Sequence, residues 1–390
     1  MNIQEKRKNL KKVVLKKLNA DLERVADLAE NKLSNVIEGS NFEVPLLENF
    51  EDAEVLKWYR INIENGKSGD GSAYHIYIKK GSCDRNAPLC IFFSGGGVAW
   101  DKWMAERPVS SGKIVSNEPN YYWNNLRPVT QLMNIGIGIT DLREKGNPFY
   151  KWNFVVITYS TGDFHIGQNE YTYLSGEEEK TVYFHGYINY TEAMKVSKEF
   201  FDNPEKMLIA GDSAGGFAVS LLSDEILEKW YPGCENVTLY SDSSELCNED
   251  WHDIAQKVWK APKRCYEPLV SSNLVVDGYA NLYKKYGDKI KYLYSGSPND
   301  YLLSSFRNDV INHKYKTDKD IQADYEIEFH SMLEQLKEIN PKFGIYVYNW
   351  KNRVHSGGGT IHTAVRTLYF YVSKRGGIAL KDWLIEATKY

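Results

Sequence analysis

Cysteine is scarce in this chain, and its pattern is uninformative in a useful way. Five cysteines among 390 residues (Cys83, Cys90, Cys234, Cys247 and Cys265) form no C-x-x-C pair and no zinc-ligand spacing. An odd, scattered set argues against a disulfide-stapled scaffold and for reduced thiols. No apolar run reaches the ~18 residues that a membrane-spanning helix requires. Met1 leads directly into Asn-Ile-Gln-Glu-Lys-Arg-Lys, with no apolar stretch of signal-peptide length, so a cytoplasmic location is expected. There is no excess of basic charge either: the net charge is −4, which gives nucleic acid no electrostatic purchase. Nothing calls for a metal or an organic cofactor.

What is present is enough to build a large core. Hydrophobic residues make up 42% of the chain, and 28 tyrosines and 10 tryptophans raise the aromatic share to 14%. Aromatic-lined clefts suit sugar rings, though tyrosine also fills strands. Residues 1–37 place Leu10, Val14, Leu18, Leu22, Val25, Ala29, Leu33 and Val36 at helical steps, with lysines concentrated in the first seventeen residues. This predicts an amphipathic helix that packs on its own domain, on a second subunit, or on a membrane surface. An irregular acidic stretch from Gly39 to Glu54 reads as a linker, giving an N-terminal element over 1–54 and a catalytic domain over 55–390.

Beyond it, short β-branched or aromatic runs alternate with helical stretches, which predicts a doubly wound α/β domain with a mainly parallel sheet. Candidate strands are Tyr74–Ile78, Leu89–Phe93, Phe154–Tyr159, Lys206–Ala210, Val237–Ser241, Ile290–Ser295 and Gly344–Asn349. Lys102–Trp123 and Asp318–Glu338 read as insertions or helices over the sheet.

The most informative stretch is Gly211-Asp212-Ser213-Ala214-Gly215. It matches G-x-S-x-G, follows the apolar run Met207–Ala210, and precedes a helical segment, Phe217–Trp230. Strand, tight turn and helix in that order make a nucleophile elbow, with Ser213 lifted out of the sheet. A serine nucleophile needs hydrogen-bond donors for the oxyanion it creates. The run Leu89–Phe93 leads into Ser94-Gly95-Gly96-Gly97-Val98-Ala99-Trp100-Asp101, where bare backbone amides can approach a ligand; Ala214 would supply the remaining amide. That loop has neither the Gly-Lys-Ser/Thr ending of a phosphate loop nor G-x-G-x-x-G.

The orienting acid and the base are expected after the serine, in that order. Asp300, in Gly296-Ser297-Pro298-Asn299-Asp300 after a strand, is the favoured acid, with Asp242 the alternative. His355, in the loop after Gly344–Asn349, is the favoured base. His362 is the alternative, disfavoured because Ile361, Val365, Leu368 and Tyr369 recur at helical steps around it. Asp163 and His165, after the strand Phe154–Tyr159, are expected to line or brace the rim of the site.

These blocks together resemble the pectin acetylesterase family, which includes the Notum-like carboxylesterases. Gly69-Asp70-Gly71-Ser72-Ala73-Tyr74, the glycine loop, Gly146-Asn147-Pro148-Phe149, Tyr159–Gly167, His185–Asn189 and Gly211–Gly216 occur in the family's order, over roughly 55–375. The resemblance implies an α/β-hydrolase fold and a cofactor-free serine esterase. Its nucleophile would be Ser213, its acid Asp300, its base His355, and its oxyanion donors Gly96, Gly97 and Ala214. Gly95, Trp100, Asp163 and His165 would be weaker substrate contacts. Ala99 and Val354-His355-Ser356 lack the cysteines of extracellular members. The expected activity is O-deacetylation of sugars or oligosaccharides. Alternatives are a long-acyl deacylase, an amide or thioester hydrolase, and a non-catalytic binding module on the same fold.

Overall fold

The computed structural model describes residues 43–390, apart from residues 85, 117, 144–145, 351–356, 373 and 390, and four earlier ones, Val25, Leu28, Ala29 and Lys32. The expected N-terminal helix otherwise lies outside the described residues. In chain order the main strands are β1 (Trp58–Lys67), β2 (Ala73–Lys79), β3 (Leu89–Phe93), β4 (Asn153–Ile157), β5 (Asn169–Ser175), β6 (Glu178–Phe184), β7 (Met207–Asp212), β8 (Val237–Asp242), β9 (Lys291–Gly296) and β10 (Gly344–Val347). The longer helices are α1 (Gly186–Phe200), α2 (Ala214–Glu225), α3 (Leu274–Tyr286), α4 (Tyr301–Asn312), α5 (Lys319–Ile339) and α6 (Leu380–Ala387).

Eight strands form one sheet in the order β1-β2-β4-β3-β7-β8-β9-β10. The pairs β1–β2 and β2–β4 are antiparallel, and every pair from β4 onward is parallel. β3, β4, β7 and β8 are buried at every residue, as strands covered on both faces must be. Alternation along them divides the core: Ile91, Phe93, Ile209 and Leu239 face one apolar cluster, while Cys90, Phe92, Leu208 and Tyr240 face the other. The helices cover both faces, which is the doubly wound α/β arrangement expected. No helix among the described residues is long and apolar enough to cross a membrane, and all five cysteines are free.

One departure has a physical cause. β1 and the β5–β6 hairpin escaped the sequence reading because polar and charged residues interrupt them; every second residue of β5 is exposed. Lys102–Trp123, read as an insertion or helices, contains the short helices Lys102–Ala105 and Ser111–Ser116 among its described residues. The linker is also shorter than composition suggested. The Leu47 amide donates to Arg60 and the Arg60 amide to Pro45, each at 2.9 Å, and Phe50 packs edge-on to Phe200 at 4.7 Å.

Lys79 on β2 is fully buried, its Nζ donating to the Tyr150 carbonyl at 2.7 Å and lying 4.5 Å from the centre of the Phe154 ring. Burial pulls its pKa down to about 7. Between that value and the ordinary one the unfolded chain binds the extra proton, so this group lowers stability as pH falls through the window. Replacing it by an apolar side chain of similar length removes the penalty. The Tm advantage of Lys79→Met over wild type is therefore expected to be larger at pH 6 than at pH 9, measured by thermal unfolding. A pH-independent difference would show that the ammonium is not the cause.

Candidate active site

The parallel strands carry their C-terminal ends to one edge, and there the chemistry-bearing residues gather. β7 runs into Ser213, which turns directly into α2. Ser213 has φ +52° and ψ −126°, a strained conformation for a residue with a side chain. Its amide donates to the Asp242 carbonyl at 2.8 Å, and its carbonyl accepts from Gly216 at 2.8 Å. The flanking glycines are obligatory here. A Cβ on Gly211 would stand 2.2 Å from the Gly215 carbonyl oxygen, and one on Gly215 would stand 2.0 Å from that of Phe93. The turn has the strand–turn–helix geometry expected of a nucleophile elbow.

The glycine loop leaves β3 alongside it. Trp123 donates its amide to Gly96 and Val98 donates to Tyr121, both at 2.9 Å, which fixes the loop against residues 121–123. The amides of Gly96, Gly97 and Ala214 have no hydrogen-bond partner among the described residues. Gly95 differs, since its amide is spent on Asp212 Oδ1 at 2.9 Å.

Asp300 caps α4, its Oδ1 accepting from the Leu302 and Leu303 amides at 2.9 and 3.0 Å. Its Oδ2 lies 2.7 Å from Nδ1 of His362; the carboxylate is fully buried and the imidazole 10% exposed. The far nitrogen, Nε2, is buried without a hydrogen-bond partner among the described residues. Asp300, the favoured acid of the sequence reading, thus meets an imidazole. His355 lies outside the described residues, and the imidazole that meets Asp300 belongs to His362, the alternative.

The reason is a long-range tie. The Thr360 amide donates to Asn299 at 2.6 Å, the Tyr301 amide donates to Thr360, and residues 361–368 form loop and turns rather than the helix their spacing imitates. Asp242, the alternative acid, holds the same loop. Its Oδ2 accepts from the Ala364 and Val365 amides at 2.7 and 2.9 Å, and its Oδ1 from Ser295 Oγ at 2.6 Å. Burial raises the Asp242 pKa. Burial also draws the His362 pKa down, but Asp300 outweighs it by charge and hydrogen bond, with Asp212 and Asp242 behind. The net shift is upward.

Ser213, His362 and Gly95–Gly97 line one cavity of about 380 Å³. Its walls are mostly apolar: Val109, Ile114, Met133, Leu302, Phe306 and the rings of Tyr121, Trp123, Tyr301 and Tyr315. Trp100 lines a neighbouring cleft instead. Asp163 and His165 are buried braces away from the cavity. Asp163 accepts from Thr161 Oγ1 and the Gly186 amide, and its pKa is raised to about 6 by burial. His165 Nε2 lies 2.9 Å from the Ser94 carbonyl, and burial lowers its pKa to about 4. Asp242's grip on the histidine loop and the apolar cavity wall were missed, because both join residues far apart in the chain.

A pectinacetylesterase family model matches residues 61–270, just over half of the chain. The chain belongs to the pectinacetylesterase family. That places it among carboxylesterases and deacylases. The matched stretch contains the glycine loop and the elbow but ends before Asp300 and His362. Among solved structures, this pectinacetylesterase family member is similar to the Wnt deacylase Notum from Drosophila in two crystal forms. One is 17% identical with a TM-score of 0.56, over 84% of this chain and 91% of that one. The other is 16% identical with a TM-score of 0.54, over 84% and 92%. At such identities the likeness is one of fold. No curated protein matches the chain.

Proposed function

We propose that this family member is a serine carboxylesterase whose preferred acyl group is longer than acetyl. The observation that carries the mechanism is the His362–Asp300 pair, whose Nε2 has no partner among the described residues and whose histidine lines the same cavity as the strained Ser213. Ser213 Oγ attacks the ester carbonyl as His362 Nε2 takes its proton. Asp300 holds the imidazole tautomer and stabilises the imidazolium. The oxyanion accepts hydrogen bonds from the amides of Gly96, Gly97 and Ala214. His362 then protonates the leaving alkoxide and activates the water that releases the acid from the acyl-enzyme.

The cavity wall supports the choice of acyl group. An acetyl methyl would leave most of the ~380 Å³ beside Ser213 unfilled, whereas each further methylene buried there contributes about 0.8 kcal/mol. Hydrolysis of p-nitrophenyl acetate, butyrate and octanoate tests this. kcat/KM for butyrate or octanoate is expected to exceed that for acetate by about tenfold or more. Family membership favours a second reading, O-deacetylation of sugars, which an acetate preference would restore without touching the mechanism.

The acid–base chemistry carries its own signature. His362 must be neutral to accept the serine proton, and its pKa is raised above the ordinary 6.5. The acid limb of kcat/KM is thus expected above that value. Asp300→Asn should move it to lower pH, since the charge that raises the imidazole is gone. A limb that stays in place in Asp300→Asn would remove Asp300 from the role.

A further inference from the structure

Arg366 follows His362 by four residues, and its guanidinium is almost wholly buried, its side chain 8% exposed. Nε donates to Asp212 Oδ2 at 2.9 Å and Nη2 to Asp212 Oδ1 at 2.7 Å, a two-pronged fork on the residue just before the nucleophile. Nη1 reaches Ser94 Oγ at 3.0 Å and Asn134 Oδ1 at 3.3 Å, and Ser94 Oγ also donates to Asn134 Oδ1 at 2.7 Å. Asp212 Oδ1 in turn accepts the Gly95 amide. One side chain on the histidine loop therefore grips the elbow, the head of the glycine loop and the short helix Gln131–Asn134.

The charges around His362 give the grip a second consequence. Asp300, at the start of α4, bonds the imidazole directly, while the charges of Asp212, at the end of β7, and Asp242, at the end of β8, also raise its pKa. Arg366, on the histidine's own loop, is the cation paired with one of them. We propose, resting on the serine-esterase reading, that Arg366 is a positioning residue. Its fork holds the glycine loop, the nucleophile and the base in register and neutralises the Asp212 carboxylate behind the imidazole. A bidentate fork is specific to a planar guanidinium, and lysine supplies the charge without the geometry. Displacement of reacting groups by about 1 Å costs on the order of a hundredfold in rate.

The test compares wild type, Arg366→Gln, Arg366→Lys and Asp212→Asn on p-nitrophenyl butyrate across a pH series. In Arg366→Gln, kcat is expected to fall by about ten- to a hundredfold with KM within about threefold, because the loss is one of alignment. The acid limb of kcat/KM should move to higher pH, as the Asp212 charge is no longer balanced. In Asp212→Asn it should move to lower pH, since a negative charge near the imidazole has gone while the amide oxygen still accepts from Gly95. Arg366→Lys should keep the limb near wild type yet recover only part of kcat. Opposite shifts cannot come from general loosening of the fold.

An unchanged kcat and limb in Arg366→Gln, or shifts of the same sign in the two opposing variants, would overturn the proposal. Should Arg366→Gln fail to fold, the near-isosteric Asp212→Asn carries the electrostatic half and Arg366→Lys the geometric half. Failure of the esterase reading has a different appearance: wild type itself hydrolyses no ester, or Ser213→Ala is as active as wild type.

Discussion

Ser213→Ala is expected to lower kcat for an activated ester by about three orders of magnitude or more, with the thermal unfolding midpoint close to wild type. The loss is large because nucleophile, base and acid act as a unit; what remains comes from the oxyanion donors and substrate binding. The fold should tolerate the change. Alanine is smaller than serine, and the elbow geometry rests on the backbone bonds of residue 213 to Asp242 and Gly216 rather than on the hydroxyl. Steady-state kinetics beside circular dichroism makes the check. Retention of more than about a tenth of wild-type activity would remove Ser213 from the mechanism.

The second large effect separates two histidines. His362→Ala is expected to match Ser213→Ala in severity, whereas His355→Ala should stay within about tenfold of wild type. The expectation follows from the 2.7 Å bond between His362 Nδ1 and Asp300 Oδ2, which commits the acid to this imidazole. Asp300→Asn should cost about two to four orders of magnitude, because an amide can hold the wrong tautomer. Asp242→Asn acts through the loop it anchors, so its damage should appear in stability as well as in rate. Were His355→Ala the inactive variant, and His362→Ala active, the base would lie in the segment 351–356.

The parts of this site that could be read from the chain are those written in consecutive residues. The elbow is legible because Met207–Ala210, the two glycines and the helix-forming run adjoin one another, and sterics at Gly211 and Gly215 leave no other residue type. The glycine loop is legible for the same reason, as a strand running directly into Gly95–Gly97. Asp300 could be found because it closes a turn after β9. Local features favour His355, in the loop after Gly344–Asn349, over His362. His362 is brought to Asp300 by Thr360 pairing beside that residue and by two amides reaching back to Asp242, contacts that leave no mark in sequence spacing. Worse, Ile361, Val365 and Leu368 imitate a helix where the chain is a loop. Likewise β1 and the β5–β6 hairpin are hidden by polar residues on their exposed sides. The cavity wall draws Ile114, Phe306 and Tyr315 from three separate stretches.

The way the histidine loop is fastened also bears on when the protein becomes active as it folds. Ala364 is joined to Asp242 across 122 residues of chain, and Arg366 to Ser94 across 272. Such closures bear the largest loop entropy, and contacts of high sequence separation form slowly. The elbow and glycine loop lie on neighbouring strands and can be assembled once β3 and β7 pair. The histidine arrives only after β8, β9 and the segment beyond β10 have been laid down. On the proposed mechanism, a polypeptide still emerging from the ribosome holds Ser213 and the glycine loop but not His362. On that mechanism catalytic competence is a late property of this chain, and ester turnover during refolding is expected to report closure of the last loop rather than collapse of the sheet.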